Sequence, residues 1–478
     1  MEVVLAGYNL DRDLIARLAD GAPGSDADAL TPETLSAAYA RISRDPRPIP
    51  ELRADARADV AQARHSNRRI IFGFGHASVA EHAVFNLDVL GISRLGLEAL
   101  EATRLGSYTE KSQRYILLDR DFVVPAEIAG GPLEAPFRDL IRRQQAAYQR
   151  AHQALAPRFG EETAREDARY CLGLSATGQV GVTLNARSLE ATVRRLAADP
   201  RSEVRELGTR LHAAVASIAP SLVRYTEPTP QRAETPECLT RLLDGWGRPA
   251  ETPALVPDAE SPPVRLLAVT PDAEEHVLAA LIHGCASLPW SAALERVRSL
   301  SDEQCRALVD ESLRRLDAHE SPPRAFELAE VVFEIVLSAS AFAQLKRHRM
   351  ATLLPQAYDL ALGVTVPPSF EAAGLGSLLQ ETAAASAALH DRIAESSAST
   401  AAYALTNAHR RRVLFQVNVR ELYHLARLRL DPHAQWDIRA IAGDMIAQAR
   451  LRLPRLMQLA TGKDAFDQAR RDTFGEDA

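Results

Sequence analysis

Cysteine is scarce in this 478-residue chain, and the four present, Cys171, Cys238, Cys285 and Cys305, form neither a CxxC pair nor a metal-ligand spacing. That argues against a disulfide scaffold or a zinc site and for a reducing, cytoplasmic setting. No stretch is apolar over the roughly 18 residues that a membrane span needs. The opening Met-Glu-Val-Val-Leu has no basic leader, so neither a membrane anchor nor a targeting segment is expected. Positive charge is not in excess either: the formal net charge is -7, which gives no reason to expect nucleic acid or an acidic membrane as partner. Local basic clusters therefore read as sites for small anions or as solvated faces. What remains is an ordinary globular composition, 46% hydrophobic and 25% charged, long enough for about two to three domains.

One constellation occurs twice. The first copy holds Gly75-His76-Ala-Ser78-Val-Ala-Glu81-His82 and then Arg104-Leu-Gly-Ser107-Tyr-Thr-Glu110-Lys-Ser112-Gln-Arg114. The second holds His319-Glu-Ser321 and then Gln344-Leu-Lys-Arg347-His348-Arg349. Asn185-Ala-Arg187-Ser-Leu likewise returns as Asn418-Val-Arg420-Glu-Leu. A near-constant shift along the chain is the mark of an internal duplication. Residues 1–226 and 264–478 are the expected repeats. Glu227 to Pro263 is so rich in proline that it reads as a linker, with one helical island at Cys238 to Leu243.

Within each copy, Phe85-Asn-Leu-Asp-Val and Val331-Val-Phe-Glu-Ile-Val-Leu alternate as half-buried strands should. Each runs into a helical stretch, Ser93 to Leu100 or Ser338 to Lys346. Helices are also expected from Asn185 and Asn418 onward, from Ser202 to Ile218, and from Gln435 to Leu451. Strands mixed with long helices, without repeating βαβ units, make the expected class α+β, each repeat a mixed sheet with long helices.

Arg347-His348-Arg349 reads, at its blandest, as basic residues closing a helix. Three cationic or switchable side chains before a loop also suit a phosphate or a flavin diphosphate, because arginine holds such oxygens with two parallel bonds. Ser107, Glu110, Ser112 and Arg114 could be a solvated turn. Together they also supply the hydroxyls, carboxylate and guanidinium needed to grip a nucleotide. Arg169 and Arg429 would ordinarily be surface arginines with buried stems. The joint recurrence is more specific than any member alone.

These residues resemble the flavin-dependent thymidylate synthases, whose signature is Arg-His-Arg-x-x-Ser-x-Asn-Glu-x-Ser-x-Arg, preceded by a Gly-His-x-Ser/Thr-Pro-x-Glu-His stretch and followed by an Asn-Ala-Arg helix. The family subunit is about half this length, so the resemblance implies a tandem fusion. Each copy departs from the signature in a different place. The first has Ala99 for the upstream Gln, Ala102-Thr103 for Arg-His, Thr109 for Asn and Leu196 for a late Arg, but keeps Ser107, Glu110, Ser112, Arg114 and Arg169. The second keeps Gln344, Arg347, His348, Arg349, Asn418, Arg420, Arg429, His433 and Gln435. Leu354, Pro355, Ala357, Asp359 and Ala402 stand where its other ligands would be.

The resemblance implies reductive methylation of dUMP to dTMP, with FAD as cofactor and NADPH and methylenetetrahydrofolate as co-substrates. Arg114, Arg169 and Ser112 would hold the nucleotide phosphate. Arg347, His348, Arg349, Asn418, Arg420, His433, Ser78, Ser107 and Glu110 would contact the flavin, and His76, His319 and Ser321 would lie toward flavin or folate. Arg429, Arg347 and Ser112 are the implied catalytic set, with Ser112 an anchor rather than a nucleophile. Because the family builds its sites between subunits of a homotetramer, Gln344, Arg347 and Arg429 are expected to serve one composite site with Glu110, Ser112, Arg114 and Arg169. Two such chains would pair into a homodimer acting as a pseudo-tetramer. Methylation of another pyrimidine nucleotide such as UMP, or a flavin- or nucleotide-binding protein without turnover, remain alternative readings.

Overall fold

The computed structural model describes residues 1–20, 29–114, 116, 121–247 and 262–475; Tyr115 of the first motif and residues 248–261 of the expected linker lie outside the described residues. The chain is α+β, with two four-stranded sheets of the same topology. The first contains β1 (Glu2–Tyr8), β2 (Val84–Ser93), β3 (Ser107–Glu110) and β4 (Thr177–Asn185), in the order β1-β2-β4-β3. The second contains β5 (Val264–Val269), β6 (Glu330–Ser338), β7 (Thr352–Tyr358) and β8 (Arg410–Asn418), in the order β5-β6-β8-β7. Among the described residues every strand pairing is antiparallel, so the sheets are not mixed as the sequence led us to expect. The reason is geometric: the helices between β2 and β4, and between β6 and β8, return the chain so that the strand runs backward, and no βαβ crossover forms.

The alternation read from the sequence is what buries each sheet. Phe85, Leu87 and Val89 of β2 are buried while Asn86 and Asp88 are exposed. In β6, Val331, Phe333, Ile335 and Leu337 face the core and meet Val413, Phe415 and Val417 of β8. Each fully buried aliphatic or aromatic side chain contributes on the order of 2 kcal/mol, so one polar substitution on these faces removes much of a domain's margin.

Two strand-to-helix devices recur. β2 and β6 end in Ser93 and Ser338, whose hydroxyls accept from Gly96 N and Ala341 N, each at 3.0 Å, and start helices Arg94–Glu101 and Ala339–Leu345. β4 and β8 end in Asn185 and Asn418, whose side chains accept from Ser188 N (2.8 Å) and Glu421 N (2.9 Å) and start helices Ala186–Ala197 and Val419–Arg429. These are N-caps that satisfy otherwise orphaned backbone donors.

The compact units do not follow the linear order of the repeats. Unit 1 takes in β1–β4 and, from the second repeat, Ala384–Leu405; unit 2 takes in β5–β8 and, from the first repeat, Ala147–Cys171. Each borrowed segment is fixed by a buried tyrosine. In unit 1, Tyr403 Oη donates to Glu203 Oε2 (2.6 Å), which also accepts from Ser93 Oγ (2.5 Å). In unit 2, Tyr170 Oη donates to Asp437 Oδ2 (2.9 Å), which also accepts from Ser338 Oγ (2.5 Å). The same serine, acid and borrowed tyrosine thus close both units.

Candidate functional site

Unit 2 gathers the second repeat's retained residues around the borrowed segment. Helix Ala339–Leu345 presents Gln344 near its end, and the turn after it carries Arg347, His348 and Arg349. Helix Val419–Arg429 supplies Glu421 from its first turn and Arg429 from its last, positions two turns apart on one face. Gln435 caps helix Trp436–Arg452, its Oε1 accepting from Ile438 N at 3.2 Å.

A hydrogen-bonded line runs through this group. Gln344 Nε2 donates to Gln435 Oε1 (3.3 Å), Gln435 Nε2 donates to Tyr170 Oη (2.8 Å), and Tyr170 donates onward to Asp437. Tyr170 also stacks on Trp436, with ring centroids 5.7 Å apart. Trp436 Nε1 in turn donates to Asp167 Oδ1 at 2.7 Å. Arg169 lies within this unit, buried, its backbone oxygen accepting from Asn407 Nδ2 at 3.0 Å. Burial raises the carboxyl of Asp437 above the usual range, against the Ser338 and Tyr170 hydrogen bonds and the Arg169 charge.

The second line of contacts is Glu421, His348 and Arg429. His348 is buried, its Nδ1 is 3.0 Å from Glu421 Oε1, and its Nε2 accepts from Arg429 Nε at 3.1 Å. Arg429 Nη2 donates to Gln344 O at 3.1 Å. Burial pushes the His348 pKa down, Glu421 raises it, and Arg429 and His424 lower it further. Ligand atoms of His348, Glu421 and His424 all fall within 4.8 Å of one another. The guanidinium on Nε2 puts a positive charge beside that group, which disfavours a cation there.

Other implied ligands in unit 2 are committed to the protein itself. Asn418 is a helix cap. Arg420 Nε donates to Pro322 O (2.8 Å), and its Nη1 lies 3.4 Å from Glu327. His433 is exposed and pairs with Asp431 at 2.8 Å. Arg347 is exposed and Arg349 half-buried, and His319 and Ser321 lie on the surface.

Unit 1 holds the complementary set. Ser107 and Glu110 sit on β3 beside β4, and Ser112 Oγ accepts from Arg114 N at 3.1 Å in the turn that follows. Glu110 forms an ion pair with Arg94, both side chains almost fully buried (5% and 6% exposed). His76 and Ser78 are exposed. Sequence reasoning overlooked Arg94, Tyr170, Glu421 and Asp437. Glu421 was visible as the residue after Arg420 in the recurring helix start, whereas Arg94 carries no local sign of its partner.

A family model described as thymidylate synthase complementing protein matches residues 27–221 and again 265–455. The chain belongs to that family. Among its relatives, a flavin-dependent thymidylate synthase of Clostridium tetani is 27% identical over 218 residues, 43% of this chain and 86% of that protein. A UPF0159 protein of Thermoplasma acidophilum is 26% identical over 450 residues, 84% of this chain and 89% of its own. A solved structure of a flavin-dependent thymidylate synthase from Helicobacter pylori, complexed with FAD and dUMP, aligns over 48% of this chain and all of its own at 17% identity, TM-score 0.31.

Proposed function

We propose that this member of the family is an FAD-dependent nucleotide methylase, converting dUMP to dTMP at a site to which both repeats contribute ligands. The observation that carries the reading is the borrowed segment: Arg169 and Tyr170 come from the first repeat yet belong to one compact unit with Gln344, Gln435 and Arg429 of the second. The segregation of the retained signature residues supports it as well, since random decay would scatter losses over both sets.

The donor chemistry fits the group the family uses. Arg347 and Arg349 flank a buried histidine at a helix end, a cationic turn suited to the oxygens of a flavin diphosphate, with His433 exposed in the same unit. Ser78, Ser107 and Glu110 are the first repeat's contribution to it. FAD, once bound, supplies reducing equivalents drawn from NADPH, and methylenetetrahydrofolate supplies the carbon.

The protein's part is to bind, orient and polarise. Arg114, Arg169 and Ser112 anchor the nucleotide phosphate. Gln344, fixed by Gln435, orients the base. Negative charge gathers on the uracil ring as its C5 becomes nucleophilic, and a guanidinium held beside that ring offsets it in a desolvated site. Arg429 and Arg347 are assigned that work. The active form is a homodimer supplying four repeats.

Tritium release from labelled dUMP coupled to NADPH oxidation tests the reaction. Release from labelled UMP but not dUMP would reassign the substrate, and release from neither would leave a binding protein.

A further inference from the structure

We propose that Glu421 is a positioning residue that sets the orientation of Arg429 by acting through His348. The proposal rests on the reading of Arg429 as a nucleotide ligand and extends it.

Nε2 of His348 accepts from Arg429 Nε, so Nε2 carries no proton. The single proton of the neutral ring is then on Nδ1, where Glu421 Oε1, 3.0 Å away, accepts it. Were Glu421 absent, the ring would be free to hold its proton on Nε2, which would place two donors against each other and break that contact with Arg429. The charged and titratable groups facing the ring are Glu421, Arg429 and His424; burial and the latter two favour the neutral ring that the arrangement needs. Arg429 is held a second time through Nη2 to Gln344 O. The His348 ring and the Gln344 carbonyl both accept from the guanidinium and so help to fix its plane.

The bland alternative is that Glu421 merely helps start its helix, as acidic residues in a first turn do. The chain contains its own control. In the first repeat His348 corresponds to Thr103, Glu421 to Ser188, Arg429 to Leu196 and Gln344 to Ala99. All four are gone together, while the cap, Asn185 with Ser188 N at 2.8 Å, persists without a glutamate. Thr103 instead meets Thr192 Oγ1 at 2.8 Å and Arg195 Nη2 at 3.0 Å. A glutamate needed to start the helix would have no cause to disappear with the histidine and arginine; one that works through them would.

The test is a double-mutant cycle on the full FAD-loaded chain, read as dUMP affinity by calorimetry. Glu421→Leu should weaken binding about tenfold, the size of one well-placed hydrogen bond. In an Arg429→Gln background the same substitution should change affinity by less than about twofold, because a residue acting through Arg429 has nothing left to act on. Independent, multiplying losses would overturn the proposal. Glu421→Gln keeps an oxygen for Nδ1–H and should stay close to wild type; a loss equal to that of Glu421→Leu would also overturn it. Nitrogen-15 histidine spectra give a readout that needs no nucleotide, with the His348 signal identified by its absence in His348→Gln. An Nδ1–H ring in the unmodified chain that becomes mixed in Glu421→Leu supports the relay even if dUMP does not bind, in which case the nucleotide reading alone fails. An Nε2–H ring in the unmodified chain refutes the relay whatever binds.

Discussion

Replacing Tyr170 with Phe removes one oxygen from unit 2 and leaves the ring and its stack on Trp436 in place. The lost hydroxyl donates to Asp437 Oδ2 and accepts from Gln435 Nε2, at 2.9 and 2.8 Å. A hydrogen bond to a carboxylate contributes about 1.5–3 kcal/mol. The raised carboxyl of Asp437 puts this one toward the lower end. Gln435 cannot turn to recover its stranded N–H, because its Oε1 is engaged by Ile438 N and Gln344 Nε2. Together these make the expected cost about 3 kcal/mol, seen as a lowered urea midpoint of the affected transition at unchanged slope. Tyr403→Phe in unit 1 removes a single donor, to Glu203, and should cost about 2 kcal/mol without altering dUMP affinity. Tyr170→Phe should weaken dUMP binding as well, since Gln435 steadies Gln344. A loss below about 0.5 kcal/mol, the level of an ordinary surface change, would refute the idea that the borrowed tyrosine locks its unit.

Further outcomes follow from single sites. Arg94→Met leaves the carboxylate of Glu110 buried without its guanidinium and should destabilise unit 1 by about 3 kcal/mol, measurable by denaturant titration; a neutral result would mean the pair is not closed in solution. His348 has a depressed pKa when folded, so the unfolded chain takes up the proton first as pH falls below the ordinary 6.5. Its contribution to stability is therefore intact above that value and lost as pH drops toward the folded pKa. His348→Asn should show no such loss, so the stability gap between the two proteins should change in favour of the variant on acidification. Burial pushes the Cys171 thiol up to about 12, whereas Cys238 and Cys285 are exposed. Iodoacetamide near neutral pH should alkylate the last two and spare Cys171 until the chain unfolds, and mass spectrometry would locate the adducts.

Much of this architecture was legible in the sequence because it is local. The alternation of Phe85, Leu87 and Val89, the capping residues Ser93 and Ser338, and the recurring Asn-x-Arg start of the later helices declare strand, cap and helix within a few positions each. The duplication was legible because two copies keep different parts of one pattern at a near-constant shift. What could not be read was non-local. That β4 pairs beside β2, making the sheet wholly antiparallel, depends on where the intervening helices return the chain. The exchange of Ala147–Cys171 and Ala384–Leu405 has no local signal, since Tyr170 and Tyr403 look like ordinary core tyrosines in isolation. Arg94 pairs with Glu110 only because β3 lies along β4. At the site, Asn418 caps its own helix and Arg420 reaches the Pro322 carbonyl from a distant part of the chain, partners that the motif alone does not reveal.

The count of nucleotides bound per chain bears most directly on the claim that the ligands for one dUMP are divided between the repeats. Calorimetric titration of the FAD-loaded protein with dUMP should give one site per chain, and that site should be lost in both Arg114→Ala and Arg347→Ala. Two sites per chain, or binding that survives both substitutions, would contradict it.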